Sequence, residues 1–105
     1  MVQSKQFKIE VSERAKRNFG KIISYIAIEN SSYARKVKAE LTASIKSLCK
    51  FPERFPFLEG EFIPYNKYHK LVVKGNFIVL YIVQDDIVRV EYVVDCKQDY
   101  QWLIR

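Results

Sequence analysis

Phe7, Ile9 and Val11 alternate with Lys8 and Glu10 near the start of the chain, the period-two pattern of a half-buried strand. Ser12 follows, and its hydroxyl suits it to accept a free N–H of a helical first turn. Ala15, Phe19, Ile22 and Ile26 then recur at spacings of four, three and four, which predicts an amphipathic helix over residues 13–28. Gly20 lies inside it at a cost of about 1 kcal/mol relative to Ala, which close packing against a second helix would explain. Asn30, Ser31 and Ser32 break the pattern and offer a second cap. Ala34, Val37, Leu41, Ile45 and Leu48 predict a second helix over residues 33–50, ended by Pro52. The short polar connection makes the two an antiparallel helical hairpin.

Residues 51–64 hold all three prolines and read as a loop. Phe51, Phe55, Phe57 and Phe62 within it are expected to pack on the body of the protein. Residues 69–73 form the next strand, with a turn at Lys74-Gly75-Asn76. Phe77 to Val83 is apolar throughout, as for a central strand covered on both faces. After Gln84-Asp85-Asp86, Val88, Val90, Tyr92 and Val94 alternate with Arg89 and Glu91 in a final strand. The short turns imply antiparallel pairing. The expected architecture is α+β in the order β-α-α-β-β-β, an antiparallel sheet carrying a helical hairpin, as one domain over residues 1–105.

Composition narrows the class. The 105 residues are 49% hydrophobic with three Gly and three Pro, which excludes disordered and low-complexity chains. The longest apolar run, Phe77 to Val83, is far below the roughly 20 residues of a membrane span, and Met1 to Glu10 has no signal-peptide stretch. Cys49 and Cys96 form no C-x-x-C pair, so a cytoplasmic protein with reduced thiols and no membrane partner is expected. The net charge of +6 is uneven: residues 1–50 hold eleven basic and four acidic side chains, residues 51–105 seven and eight. The basic first half points to a polyanionic partner or to a solvated helix face.

The chemistry on offer is cationic and aromatic. A single histidine rules out a His-rich metal site, and zinc-protease, hydrolase-elbow and P-loop motifs are missing. Asp85-Asp86 sits in a hairpin turn, where Asp is favoured for backbone reasons. What remains is Lys67, Tyr68, His69, Lys70 and Lys74 around one strand, with Lys97 and Tyr100 after the last. Ammonium groups, an imidazole and a phenol can stabilise a phosphorane and move protons, as 2′-hydroxyl cleavage of RNA requires. Only His69 titrates near neutral pH in its ordinary state. Edge-guarding lysines and packed tyrosines explain the same residues structurally.

Across residues 7–103 the chain resembles the RelE/ParE superfamily of type II toxin–antitoxin toxins. The resemblance rests on Ser12-Glu13-Arg14-Ala15 at a helix start and Tyr25-Ile26 late in that helix. Further along it rests on Ile45 to Pro52, similar to an I-x-x-L-x-x-x-P helix end, and on Asn76 to Val83, similar to a Y-x-I-x-Y-x-V strand. Its last element is Val93 to Tyr100, where the family has a strand ending in a basic segment. It implies a cytoplasmic toxin, of the kind tied to plasmid stabilisation, bound and neutralised by a cognate antitoxin. RelE-like members are mRNA interferases that cleave on the ribosome, and ParE-like members poison DNA gyrase and need no nuclease site; the function expected here is inhibition of translation by ribosome-dependent mRNA cleavage. For a metal-independent endoribonuclease without cofactor, the implied catalytic set is His69, Lys70, Lys97 and Tyr100. Arg14, Arg17, Lys36, Lys38, Lys67 and Lys74 would then contact RNA or the ribosome. Lysine stands where many members carry arginine and cannot make the same bidentate phosphate contact. That substitution keeps a gyrase inhibitor and a catalytically silent antitoxin-binding homologue as alternatives.

Overall fold

In the computed structural model, which describes residues 6–61, 63–74 and 76–96, Ser12 caps the first helix as its chemistry predicts. Its Oγ accepts from the Ala15 N–H at 3.0 Å. The chain runs β1 (Lys8–Val11), α1 (Glu13–Glu29), α2 (Ser31–Lys46), β2 (His69–Val73), β3 (Phe77–Gln84) and β4 (Ile87–Asp95). Asn30 alone joins the helices. Its N–H donates to the Ile26 carbonyl at 2.9 Å, ending α1, and its Oδ1 accepts from the Tyr33 N–H at 2.9 Å, starting α2. The second helix stops four residues earlier than its apolar spacing suggests and tightens into a 3-10 turn at Ser47–Cys49. Lys50 is already extended, and Pro52, which has no N–H to donate, keeps the helix from resuming.

The expected β-α-α-β-β-β order holds, but the sheet is mixed, with the order β1-β4-β3-β2. Strands β2, β3 and β4 are antiparallel neighbours, whereas β1 pairs parallel with β4, Ile9 opposite Val88. Parallel pairing needs a long crossover, and everything between β1 and β4 supplies one. The Lys8 N–H donates to Asp86 O and the Ser12 N–H to Val90 O, at 2.8 and 2.9 Å. Asp85-Asp86 is the hairpin turn, Asp85 taking the left-handed φ of 56°.

Strand β3 is buried on both faces, as its unbroken apolar run requires. Phe77, Val79 and Tyr81 join Ala15, Val37, Leu41, Leu48, Leu71, Val88, Val90 and Val93 in the core beneath the helices. On the outer face Ile78 and Leu80 pack with Leu58, Ile63, Tyr68, Tyr92 and Val94. Each fully buried aliphatic side chain contributes about 1.5–3 kcal/mol by leaving water. The segment before β2 therefore wraps the sheet edge, placing Phe55 against the helix-side core and Leu58 and Ile63 against the outer face. Phe57 stacks on His69, while Phe51 is exposed, against expectation; Phe62 lies outside the described residues.

Strand β4 carries a bulge. Leu80 faces Tyr92 but Tyr81 faces Val90, leaving Glu91 as an extra residue. The insertion moves Tyr92 and Val94 to the outer face, whereas unbroken alternation would have kept them with Val88 and Val90. Three side chains of the α1 start hold the bulge. Ser12 Oγ and Arg14 Nε donate to the Glu91 carbonyl at 3.2 and 3.4 Å, and Asn18 Oδ1 accepts from the Val93 N–H at 3.3 Å.

Gly20 does not serve close helix packing. It is exposed, and a Cβ there would meet nothing within 4 Å. Gly20→Ala is therefore expected to stabilise the protein by about 1 kcal/mol and raise the melting temperature by roughly 4–8 °C. A thermal melt followed at 222 nm checks this, and an unchanged or lower midpoint contradicts it.

Candidate functional site

Strand alternation sets His69, Leu71 and Val73 toward the helices and Lys70 and Val72 toward the outer face. Adjacent in sequence, His69 and Lys70 thus stand on opposite sides of the sheet. His69 is 7% exposed. Its ring lies between Phe57, with centroids 4.2 Å apart, and Tyr81, 5.2 Å away and nearly parallel. Its Nδ1–H donates to the Phe55 carbonyl at 2.7 Å. Directly across the strand pair, the Tyr81 hydroxyl donates to the Pro52 carbonyl at 2.5 Å. Burial pushes the Tyr81 phenol well above the ordinary tyrosine range, with Arg54 pulling it down. These two polar tips tie the loop after α2 to the sheet.

The outer face is cationic and aromatic. Tyr68 and Tyr92 meet edge to face at 5.9 Å. The Arg14 guanidinium lies 4.0 Å from the Tyr92 ring centre and Lys67 Nζ 5.2 Å from that of Tyr68. Burial raises the Tyr92 phenol, and Arg14 opposes it. Lys70 projects onto the same face, where its charge reaches Cys96. Burial first, then Asp95, pushes that thiol up, and Lys70 lowers it. This surface can hold anions at its margins. It brings Lys67 and Lys70 to one side of the sheet and leaves His69 on the other. Lys97 and Tyr100 lie outside the described residues.

The helical cations divide by surroundings. Arg14 holds the β4 bulge and covers Tyr92. Arg17, Lys36 and Lys38 are exposed. Lys74 forms an ion pair with Glu40 at 2.8 Å across the gap from β2 to α2, and the Glu40 carboxylate raises its pKa. Sequence reading missed that pair, which only folding creates. It also missed Arg35 and Lys46, which share a helix flank with Lys38; a cationic periodicity of three to four would have found them. Among the described residues no group of three or more His, Cys, Asp and Glu side chains could hold a metal ion, and no helix is long and apolar enough to cross a membrane. A cleft of about 790 Å³ opens between the helices and the β3–β4 sheet, lined by Ile22, Tyr25, Phe77 and Val93 together with Lys21 and Glu29 among others.

Residues 9–100 match the family model described as ParE toxin of type II toxin-antitoxin system, parDE. No curated protein matches. Among solved structures the chain is similar to one from a chromosomal ParDE toxin–antitoxin system of P. aeruginosa. The TM-score is 0.72 at 12% identity, covering 88% of this chain and 98% of that one. It is also similar to a conserved hypothetical protein of Helicobacter pylori, with TM-score 0.59, 16% identity, and 88% and 97% covered. A copper-bound mutant toxin from Helicobacter pylori gives TM-score 0.54 at 15% identity, with 87% and 96% covered. At these identities the likeness to solved structures is one of fold.

Proposed function

This chain belongs to the ParE toxin family of type II toxin–antitoxin systems, and from that membership we propose that it arrests growth by binding DNA gyrase without cutting RNA. The observation that carries the choice is the placement of His69. A metal-independent RNase needs a base beside the phosphate that its cations hold. His69 is enclosed by Phe57 and Tyr81 and bonded to Phe55, and Lys70 stands across the sheet from it. Placed so, the two side chains do not converge on one phosphodiester, which supports the gyrase reading. The lysines of the outer face retain a simpler use, attraction of an acidic or polyanionic partner.

In this reading the protein works in the cytoplasm and is neutralised by a cognate antitoxin. Tyr25 is 75% exposed beside the cleft under α1, whose lining mixes apolar side chains with polar and charged ones, a surface such a partner can cover. Ribosome-dependent mRNA cleavage through Lys70, Lys97 and Tyr100 is the competing outcome. Pulse labelling after induction without antitoxin separates the two. Thymidine incorporation is expected to fall first, with broken DNA, while methionine incorporation continues. Early loss of methionine with new mRNA ends by primer extension overturns the gyrase reading. Continued growth leaves only a silent antitoxin-binding homologue.

A further inference from the structure

We propose that the exposed flank of α2 is a docking surface for the phosphate backbone of duplex DNA. Arg35, Lys38 and Lys46 border a shallow depression of about 550 Å³ whose floor is Ala39, Thr42 and Ala43. At 1.5 Å per residue, Arg35 and Lys46 stand about 16 Å apart on one helix, and that length of duplex carries roughly ten phosphates. None of the three cations has an ion pair among the described residues. The only acidic residue of α2, Glu40, is turned to the other side and paired with Lys74. The flank is therefore a run of uncompensated positive charge on a rigid element, with small side chains between that let a backbone approach.

The rest of its chemistry selects the ligand. Single strands are held by stacking their bases on aromatic rings, and this flank has none. The hydroxyls near it are engaged within the helix: Thr42 donates to the Lys38 carbonyl at 2.7 Å, and the Arg35 guanidinium donates to Ser32 Oγ at 3.4 Å. What remains is sequence-independent contact with phosphates. The choice of DNA over RNA rests on the gyrase reading above, since gyrase works on DNA: a toxin on gyrase would grip the duplex beside it.

The test uses the full chain and a labelled 20-base-pair DNA duplex of arbitrary sequence, followed by fluorescence anisotropy against salt. Three phosphate contacts predict a log–log salt slope near −2.7, roughly 40-fold weaker binding at 200 than at 50 mM salt. Replacing Arg35, Lys38 and Lys46 together with Ala is expected to abolish most of that slope and weaken binding at least tenfold at 50 mM. Alanine raises helix propensity at exposed positions, so the fold is retained. The charge-conserving triple Arg35→Lys, Lys38→Arg, Lys46→Arg should bind as the wild type does. Ala at Lys8, Lys16 and Lys21 removes the same charge elsewhere and should leave the slope within a few tenths of a unit. Equal losses in both alanine triples would show that net charge alone acts. Absence of wild-type binding at 50 mM, or tighter binding of an RNA duplex of the same sequence, would equally overturn the proposal. Toxin and DNA are alone in this assay, so its failure bears on the α2 flank and not on gyrase, which pulse labelling tests separately.

Discussion

A chain carrying His69→Ala is expected to melt far below the wild type, with about 3–5 kcal/mol of stability gone. Truncating a large buried side chain costs that much through lost transfer energy and the cavity left behind. The imidazole is also stacked between Phe57 and Tyr81, and its removal leaves the Phe55 carbonyl without that donor. His69→Phe keeps the stack and loses only the hydrogen bond, so its cost is about 1–3 kcal/mol. The second variant carries the functional point. At a temperature where it is folded, His69→Phe should arrest growth as strongly as the wild type, because the ring is part of the scaffold. Urea titration measures the stabilities, and viable counts after induction measure the arrest. A folded His69→Phe that no longer arrests growth would give the imidazole a chemical role and restore RNA cleavage as the leading reading.

The second large effect is expected at Tyr81, whose side chain is fully buried in the core beneath the helices. Tyr81→Ala should cost about 3–5 kcal/mol, and Tyr81→Phe about 1–3 kcal/mol for the bond to Pro52. The two also differ from wild type in their response to pH. Burial holds the folded phenol above its unfolded value of about 10. The unfolded chain then gives up its proton first, and above pH 10 deprotonation favours unfolding. The stabilisation is complete below pH 10 and is lost as pH rises toward the folded value. Wild type should weaken steeply between pH 10 and 11.5, and Tyr81→Phe less steeply. Tyr92, raised in the same direction, keeps part of the slope in the variant. Guanidinium melts at pH 8, 10 and 11.5 check this. Parallel loss in both chains would place the alkaline sensitivity elsewhere.

Much of the fold was legible because it depends on short-range chemistry. Apolar spacing of three and four marked both helices. Ser12 marked the first start; Asn30, Ser31 and Ser32 together offered the second, and of these Asn30 is the cap, so α2 begins two residues before the expected position 33. The unbroken run at Phe77 to Val83 announced a strand covered on both faces, and Asp85-Asp86 a turn. The asymmetry of charge was equally plain, but of the flank's three cations only Lys38 was singled out, and Arg35 and Lys46 were not.

Partners across the fold were not legible, because periodicity reports which side of an element is apolar and not what covers it. The pattern in β1 suits an edge strand in either direction; its parallel pairing with β4 follows from the route of the whole chain. The bulge at Glu91 reverses the facing of Tyr92 and Val94, and it exists because Ser12, Arg14 and Asn18, more than seventy residues away, hold it. Lys74 and Glu40 read as two surface charges until β2 meets α2. His69 was the sharpest case. By its ordinary pKa it is the best proton carrier in the chain, and the sequence by itself determines that much. Whether a proton carrier faces a substrate or a core depends on the loop at Phe55 and Phe57 and on Tyr81 across the strand pair, and only the tertiary structure brings those groups around it.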